Sequence, residues 1–206
     1  MVSMAKLSRR EQNKRDKRRR IRQAAWELFV ERGYEDTTTA AVARGAGVAK
    51  GTLFLYATDK PDLLFMVYRE RLRDSVERAM AELPEGALLD QLLFVFGRVF
   101  AMYAEHPTIA RDFVRALPGA KGINADALQA YTFGFVAQLA TLITHARTRG
   151  EVGAEIDPLL AASNVFSLYF GALLSWLNGY VAIEHACSVV LARSLGLQMR
   201  GLAPRS

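Results

Sequence analysis

The sequence contains a single cysteine, Cys187, so it cannot form a disulfide within the chain. A lone thiol of this kind is typical of proteins in the reducing cytoplasm. The three histidines stand far apart, and the sequence has no HExxH pattern, no Cys/His pair at metal spacing and no nucleophile elbow. We therefore expect no metal, no cofactor and no catalytic residue. The charged N-terminus has no apolar run behind it, so we also expect no signal peptide.

Strand patterns are lacking as well, because apolar residues recur at helical spacing. One apolar stripe of a helix is formed by Ile21, Ala24, Ala25, Leu28 and Phe29. Glycines, prolines and capping residues interrupt this periodicity at intervals typical of helix ends. The sequence predicts an all-α protein of about nine helices.

Excess positive charge is absent from the last two thirds of the chain. Residues 1–60 contain 14 Lys and Arg against 7 Asp and Glu, whereas residues 61–206 contain 13 against 14. A basic segment on a near-neutral body predicts a polyanion as partner, although a solvated basic tail has the same composition. Residues 14–20 read KRDKRRR. Repulsion among these charges predicts that residues 1–20 form a partly disordered arm, or a helical start that orders against an anion.

Residues 45–52, GAGVAKGT, are similar in sequence to a phosphate-binding loop. The order of lysine and glycine is reversed, however, relative to the GxxxxGK[ST] pattern. Such a loop follows a strand, whereas residues 36–44 have the pattern of a capped helix. The segment is better explained as the turn of a helix-turn-helix, whose second helix enters the major groove of DNA. The predicted helix pair is 39–45 and 50–56.

A series of spaced residues supports this interpretation: Ala24-Ala25, Leu28-Phe29, Gly33-Tyr34, the threonines 37–39, Ala46-Gly47-Val48, Gly51-Thr52-Leu53, Tyr56 and Lys60. With them, residues 21–64 resemble the DNA-binding domain of the TetR family of bacterial transcriptional regulators. The resemblance implies a basic arm over 1–20, a three-helix DNA-binding domain over 21–64, and a larger helical ligand-binding and dimerisation domain over 65–206.

The resemblance and elementary chemistry together predict the DNA contacts. Thr38 and Thr39 lie at a helix N-terminus, where hydroxyls and free N–H groups bind phosphate. Lys50 begins the reading helix and is expected to contact guanine O6/N7, while Gly51 allows a close approach of the backbone. The remaining predicted contacts are those of Thr52 with a phosphate or a thymine methyl, Leu55 with a thymine methyl, and Tyr56 and Lys60 with phosphates.

Three positions depart from the family pattern. Ala49 stands where a serine usually caps the reading helix, a loss of about 1 kcal/mol. Phe54 lacks the hydroxyl of the usual tyrosine, and Leu55 replaces a more polar residue. These departures leave the domain assignment unchanged, but they prevent a prediction of the operator sequence.

Aromatic residues are dense between Phe94 and Trp176, where they form either plain core or the walls of a pocket. Gln138 shares a helix face with Thr141 and His145, and this face either lines the pocket or meets water. The predicted effector is a small apolar or partly aromatic molecule. The predicted ligand-binding residues are Phe100, Tyr103, Phe113, Tyr131, Phe135, Gln138, Phe166 and Tyr169.

Residues 158–183 form a long run without charge. By length the run is a transmembrane candidate, but its polar residues and the flanking Asp157 and Glu184 favour a helix buried on all sides. We expect no membrane partner. The resemblance implies that the last two helices pair with those of a second subunit in a four-helix bundle. The predicted dimer residues are Leu160, Asn164, Ser167, Gly171, Leu174, Val189, Val190, Arg193 and Leu197.

These features predict a cytoplasmic bacterial transcriptional regulator. We expect a homodimeric repressor that binds a palindromic operator in double-stranded DNA and is released by a small-molecule effector. Two alternatives belong to other classes. A nucleotide-hydrolysing enzyme would use residues 45–52 and bind ATP tightly with magnesium. An architectural DNA binder would show weak sequence preference and no thermal shift with small molecules.

Overall fold

The computed structural model describes residues 8–204, and within this range it contains nine helices and no strand. The prediction of an all-α protein with about nine helices is therefore confirmed for these residues. The helices are α1 (Arg9–Arg32), α2 (Thr39–Gly45), α3 (Lys50–Leu53), α4 (Lys60–Ala81), α5 (Leu88–Ala104), α6 (Pro107–Ala116), α7 (Ile123–Thr148), α8 (Pro158–Leu177) and α9, which consists of Ile183–His185, a π-helical segment Ala186–Leu191, and Ala192–Leu202.

Helix α1 begins at Arg9, so residues 9–20 agree with the predicted alternative of a helical start and not with a disordered arm, while residues 1–7 lie outside the described range. Ser8 and Glu11 form a capping box: the Glu11 N–H donates to Ser8 Oγ (3.3 Å), and the Ser8 N–H donates to Glu11 Oε2 (3.0 Å). Two arginines of α1 bind acceptors on later helices, and the Arg18 guanidinium donates to Asn124 Oδ1 at 2.6 Å. Arg22 pairs with Glu70 at 2.8 Å.

The first three helices pack with the start of α4 around one small core. The apolar stripe of α1 is buried there, together with Val42 of α2 and Leu53 of α3. Helix α3 is shorter than the predicted 50–56. Ala49 provides no side-chain cap, and after Leu53 the chain continues in tighter turns, with the Tyr56 N–H donating to the Leu53 carbonyl (2.8 Å). The reading element therefore consists of one α-helical turn followed by these tighter turns.

Helices α4 to α9 form the larger part of the structure, with α7 packed against both α4 and α8. Helices α7 and α8 are long and apolar enough to cross a membrane by length and composition, a property that they share with ordinary core helices. Helix α8 buries one face, which includes Val165 and Trp176, and leaves the opposite face exposed. Within one chain its neighbours cover only one face, so the prediction that this helix is buried on all sides requires a second subunit on the other face and stays a prediction.

Candidate functional site

The reading element leaves several of its predicted DNA contacts open to solvent. Lys50, Gly51 and Leu55 are exposed, and Leu55 has 74% of its surface free. Only Leu53 anchors α3 in the core. These exposed side chains contribute little to the core, so this surface is available to bind another molecule.

Gly51 is not required by the fold. Its φ lies outside the left-handed region, and a Cβ added at this position would meet no heavy atom within 4 Å. Gly47 differs, since its φ of 62° belongs to the left-handed region that forms the turn before α3. A glycine with free space around it supports the predicted close approach of a ligand backbone at position 51.

Thr38 is the N-cap of α2, and its Oγ1 accepts the Ala41 N–H at 3.1 Å. Its hydroxyl hydrogen points to no acceptor among the described residues, so it remains able to donate to a phosphate. Thr39 begins the helix and is half-buried, as is Thr52. Neighbouring Thr37 is buried, and its hydroxyl lies 2.7 Å from the Gly33 carbonyl, where it stabilises the turn between α1 and α2.

Lys60 and Tyr56 occupy places that the sequence prediction did not anticipate. The Lys60 ammonium donates to the carbonyls of Tyr34 (3.1 Å) and Glu35 (2.9 Å), and it lies over the Tyr34 ring. Tyr56 is 9% exposed and packs in the core. Both residues hold the helix-turn-helix together, and contacts of these two side chains with phosphates remain predictions.

The N-terminal half of α1 carries a row of exposed basic side chains. The Arg20 guanidinium comes close to the Gly47 turn, with Nη1 3.3 Å from the position that a Cβ would take there. Arg18 instead faces the protein body, and burial lowers the pKa of its guanidinium. The basic surface beside the helix-turn-helix therefore consists of Lys14, Arg15, Lys17, Arg19 and Arg20.

A cavity of about 390 Å³ lies between helices α4, α5, α6, α7 and α8. Six of the eight predicted ligand-binding residues line it, together with aliphatic residues such as Leu72 and Val76 of α4, which the aromatic pattern did not indicate. Phe100 is buried behind the wall, with its ring centroid 5.7 Å from that of Tyr169. Gln138 is exposed and lies outside the lining, so the structure does not support its prediction. The six lining residues are Tyr103, Phe113, Tyr131, Phe135, Phe166 and Tyr169.

A buried polar network joins the N-terminus of α7 to the turn that follows the reading helix. The Asp62 carboxylate accepts the N–H groups of Asn124 (2.8 Å) and Ala125 (3.1 Å), and also that of Thr58 (2.9 Å). Asn124 and Asp62 are fully buried. The carboxylate thus caps α7 and holds the α3–α4 turn at the same time.

Asn124 extends this network to α1 and to the reading element. Its Oδ1 accepts a bond from Arg18 (2.6 Å), and its Nδ2 donates to the Tyr56 carbonyl (2.8 Å). Gly122 makes the close approach possible, because a Cβ there would lie 2.6 Å from Asp62 Cγ. Sequence reasoning missed this network, and only the glycine before a helix start was a local signal for it.

The predicted dimer residues of α8 follow one exposed face. Leu160, Asn164, Ser167 and Gly171 are exposed, and Leu174 is half-buried. The other four predicted dimer residues lie on α9. Arg193 and Leu197 are exposed, whereas Val189 and Val190 are half-buried in the π-helical segment. Leu160 and Leu197 each leave 64% of their surface free, an apolar area that a second subunit would cover.

Comparison with known proteins agrees with this architecture. The repressor KstR of Mycolicibacterium smegmatis is 29% identical over 97% of this chain and 95% of its own, and the fatty acid metabolism regulator of Bacillus subtilis is 26% identical over 79% and 84%. The crystal structure of Thermus thermophilus FadR with lauroyl-CoA superposes with a TM-score of 0.66 at 24% identity, over 89% of this chain and 91% of that one.

A family model gives the assignment. Residues 21–67, which contain the helix-turn-helix, match the model described as bacterial regulatory proteins of the tetR family. The relatives that extend over most of the chain are themselves transcriptional regulators. Residues 21–67 are therefore a TetR-family DNA-binding domain, and the chain is a DNA-binding transcriptional regulator.

Proposed function

We propose that the protein is a dimeric repressor of the bacterial cytoplasm that leaves its operator when an apolar acyl compound fills the cavity. The observation that carries this proposal is the continuity between cavity and DNA-binding unit. Ala125 lines the cavity, and its own N–H donates to Asp62. The same carboxylate holds the backbone of Thr58, just after the reading element.

This connection suggests how an effector changes DNA affinity. The first turn of α7 contributes Ala125 and Leu128 to the cavity wall, while Asn124 bonds to Arg18 and to the Tyr56 carbonyl. An effector that displaces this turn moves the groups that hold α1 and α3 in place. DNA selects one arrangement and the effector another, so each weakens the binding of the other.

The effector class follows from the cavity and from the relatives. The lining is mostly aliphatic and aromatic, and the volume lies in the range of small-molecule sites. Thermus thermophilus FadR binds lauroyl-CoA, and Bacillus subtilis FadR binds stearoyl-CoA. We propose an acyl chain, presented as its CoA thioester, as the effector of this chain.

Dimerisation supports the operator prediction. The exposed face of α8, with Leu160 and Gly171, offers a self-complementary surface to a second copy together with Leu197 of α9. A two-fold dimer presents two reading helices to successive major grooves, so we expect a palindromic operator with half-sites about one helical turn apart.

The decisive experiment selects bound DNA from a random pool and then measures the affinity of the selected operator with and without lauroyl-CoA. We expect a palindrome bound by one dimer and a loss of affinity of roughly 5- to 150-fold with the effector, the usual range of such coupling. Weak sequence preference, with no effect of lauroyl-CoA, would favour an architectural DNA binder instead.

A further inference from the structure

Among the described residues, one hydroxyl hydrogen of the cavity-lining tyrosines has no acceptor. Tyr103 and Tyr169 are both buried, and their hydroxyl oxygens lie 3.1 Å apart. Two phenols have two O–H groups, and the contact between them uses one. Neither oxygen contacts another hydrogen-bonding group among residues 8–204, so the second O–H is available to a molecule in the cavity.

Tyr131 adds another such hydroxyl to the same cavity. Its Oη is buried and has no hydrogen-bond partner in the described part of the chain. A buried polar group of this kind is costly unless a water or a ligand completes it. The unsatisfied donors therefore belong to tyrosines that line one largely apolar cavity.

The position and charge state of these donors are well defined. The Tyr169 ring stacks on Phe96, with centroids 4.8 Å apart, and meets the edge of Phe100. Burial raises the pKa of all three phenols well above the ordinary value, so each keeps its proton at physiological pH. The donors are therefore neutral and held in place before a ligand arrives.

The charge of the lining determines which acceptor fits. Among the described lining residues the only charged side chain is Asp126, which is exposed at the edge of the cavity. A carboxylate placed inside would lose its hydration without gaining a cation and would be repelled by Asp126. A neutral carbonyl oxygen has no such penalty and accepts from both donors.

We propose that the tyrosines Tyr103, Tyr131 and Tyr169 select an effector with a neutral carbonyl oxygen on an apolar chain, such as a thioester or a ketone, over a hydrocarbon or a free carboxylate. The inference rests on the proposed function, in which this cavity is the effector site. It adds the functional group that the cavity recognises.

The test compares lauroyl-CoA with S-dodecyl-CoA, which differs only in that a methylene replaces the carbonyl. We expect calorimetry to show that lauroyl-CoA binds at least about fivefold more tightly, the size of one or two hydrogen bonds. Tyr131→Phe and the double variant Tyr103→Phe/Tyr169→Phe should each reduce this preference, measured as the ratio of the lauroyl-CoA and S-dodecyl-CoA affinities of the same variant. Tyr180→Phe, which alters an exposed tyrosine outside the cavity, is the matched control.

A second pair without the CoA headgroup, 2-tridecanone and 2-methyl-1-tridecene, replaces the carbonyl oxygen by an isosteric methylene. This pair tests the carbonyl proposal even if the CoA group prevents binding to the cavity. Lauric acid, which is ionised at neutral pH, tests whether a free carboxylate binds. Equal affinity within each pair, or tightest binding of laurate, would overturn the carbonyl proposal. If lauroyl-CoA still releases DNA in that case, the proposed function stands. If no acyl compound affects DNA binding but 2-tridecanone still binds more tightly than 2-methyl-1-tridecene, the proposal of an acyl-CoA effector is wrong. The proposal that the cavity recognises a carbonyl oxygen then stands.

Discussion

At the scale of single residues, the helix-turn-helix separates side chains that build the unit from those left free for a partner. Lys60 illustrates the first kind, since carbonyls of the α1–α2 turn accept its hydrogen bonds. Gly51 illustrates the second, because neither its φ nor its surroundings require a glycine. A residue whose type the fold does not explain is a strong candidate for a role in binding.

Replacing Gly51 by alanine should therefore separate folding from DNA binding. We expect the free energy of unfolding to stay the same or rise by up to about 1 kcal/mol, because alanine favours a helix over glycine. Operator affinity should fall by about tenfold or more, since the methyl group lies where the backbone is expected to meet DNA. Urea unfolding and an operator titration measure the two effects.

The matched control for this substitution is Gly134→Ala on α7, where a Cβ also meets open space. It makes the same chemical change far from the reading element, so operator affinity should not change. An unaltered operator affinity in Gly51→Ala would show that the DNA backbone does not approach this position.

At the scale of elements, α1 and α9 differ from simple expectations for helices. Helix α1 remains regular through a dense run of positive charge, because the Ser8–Glu11 capping box starts it and Arg18 and Arg22 find acceptors. Helix α9 contains the π-helical segment Ala186–Leu191, which changes the angular spacing of its residues. Val189 and Val190 therefore do not share the exposure of Leu197.

The exposed basic residues of α1 should contribute to affinity through phosphates. For the double substitution Lys14→Gln/Lys17→Gln we expect weaker binding to every DNA sequence. The slope of log K against log salt should be less steep by roughly 0.9 for each phosphate contact removed. Fluorescence anisotropy at several salt concentrations measures the slope, and circular dichroism checks that the helix remains.

Arg200→Gln provides the control for lost positive charge, because Arg200 is exposed on α9 at a distance from the helix-turn-helix in sequence. For Arg200→Gln, the slope of log K against log salt should equal that of the wild-type protein. If the double lysine variant also keeps the wild-type slope, the basic surface of α1 is a solvated face without DNA contacts.

At the scale of the whole molecule, the network around Asp62 and Asn124 connects the cavity wall with the DNA-binding unit. Replacing Asn124 by alanine removes the side-chain bonds to Arg18, to the Tyr56 carbonyl and to Asp62 Oδ2, but it keeps the backbone bond to Asp62. We expect lower stability, by roughly 1–3 kcal/mol, because buried groups lose their partners. The ratio of operator affinities without and with lauroyl-CoA should fall to within about threefold, against the 5- to 150-fold typical of coupled sites.

Gln138→Ala is the control for this experiment, since Gln138 lies on the exposed face of the same helix and outside the cavity. For Gln138→Ala, the ratio of operator affinities without and with lauroyl-CoA should equal that of the wild-type protein. Full coupling in Asn124→Ala, measured at a temperature where the variant is folded, would show that the effector acts on DNA binding by another route.

Features that depend on near neighbours in the chain could be predicted from the amino-acid sequence. Helical spacing, capping residues and turn glycines are local, so they predicted an all-α protein and the helix-turn-helix. Aromatic density indicated six residues of the cavity wall. Local charge repulsion, however, left a disordered arm and a helical start both open, and the structure has the helix.

Contacts between groups that lie far apart in the chain became visible only in the folded molecule. Arg18 and Asn124 are 106 positions apart, and Asp62 and Asn124 are 62 apart. No periodicity records such pairs, because they depend on how the helices pack. The same holds for the contact between the Tyr103 and Tyr169 hydroxyls, which are 66 positions apart in the chain. The physical reason is that helices form from contacts within a few residues, whereas buried networks and cavities arise where distant helices come together.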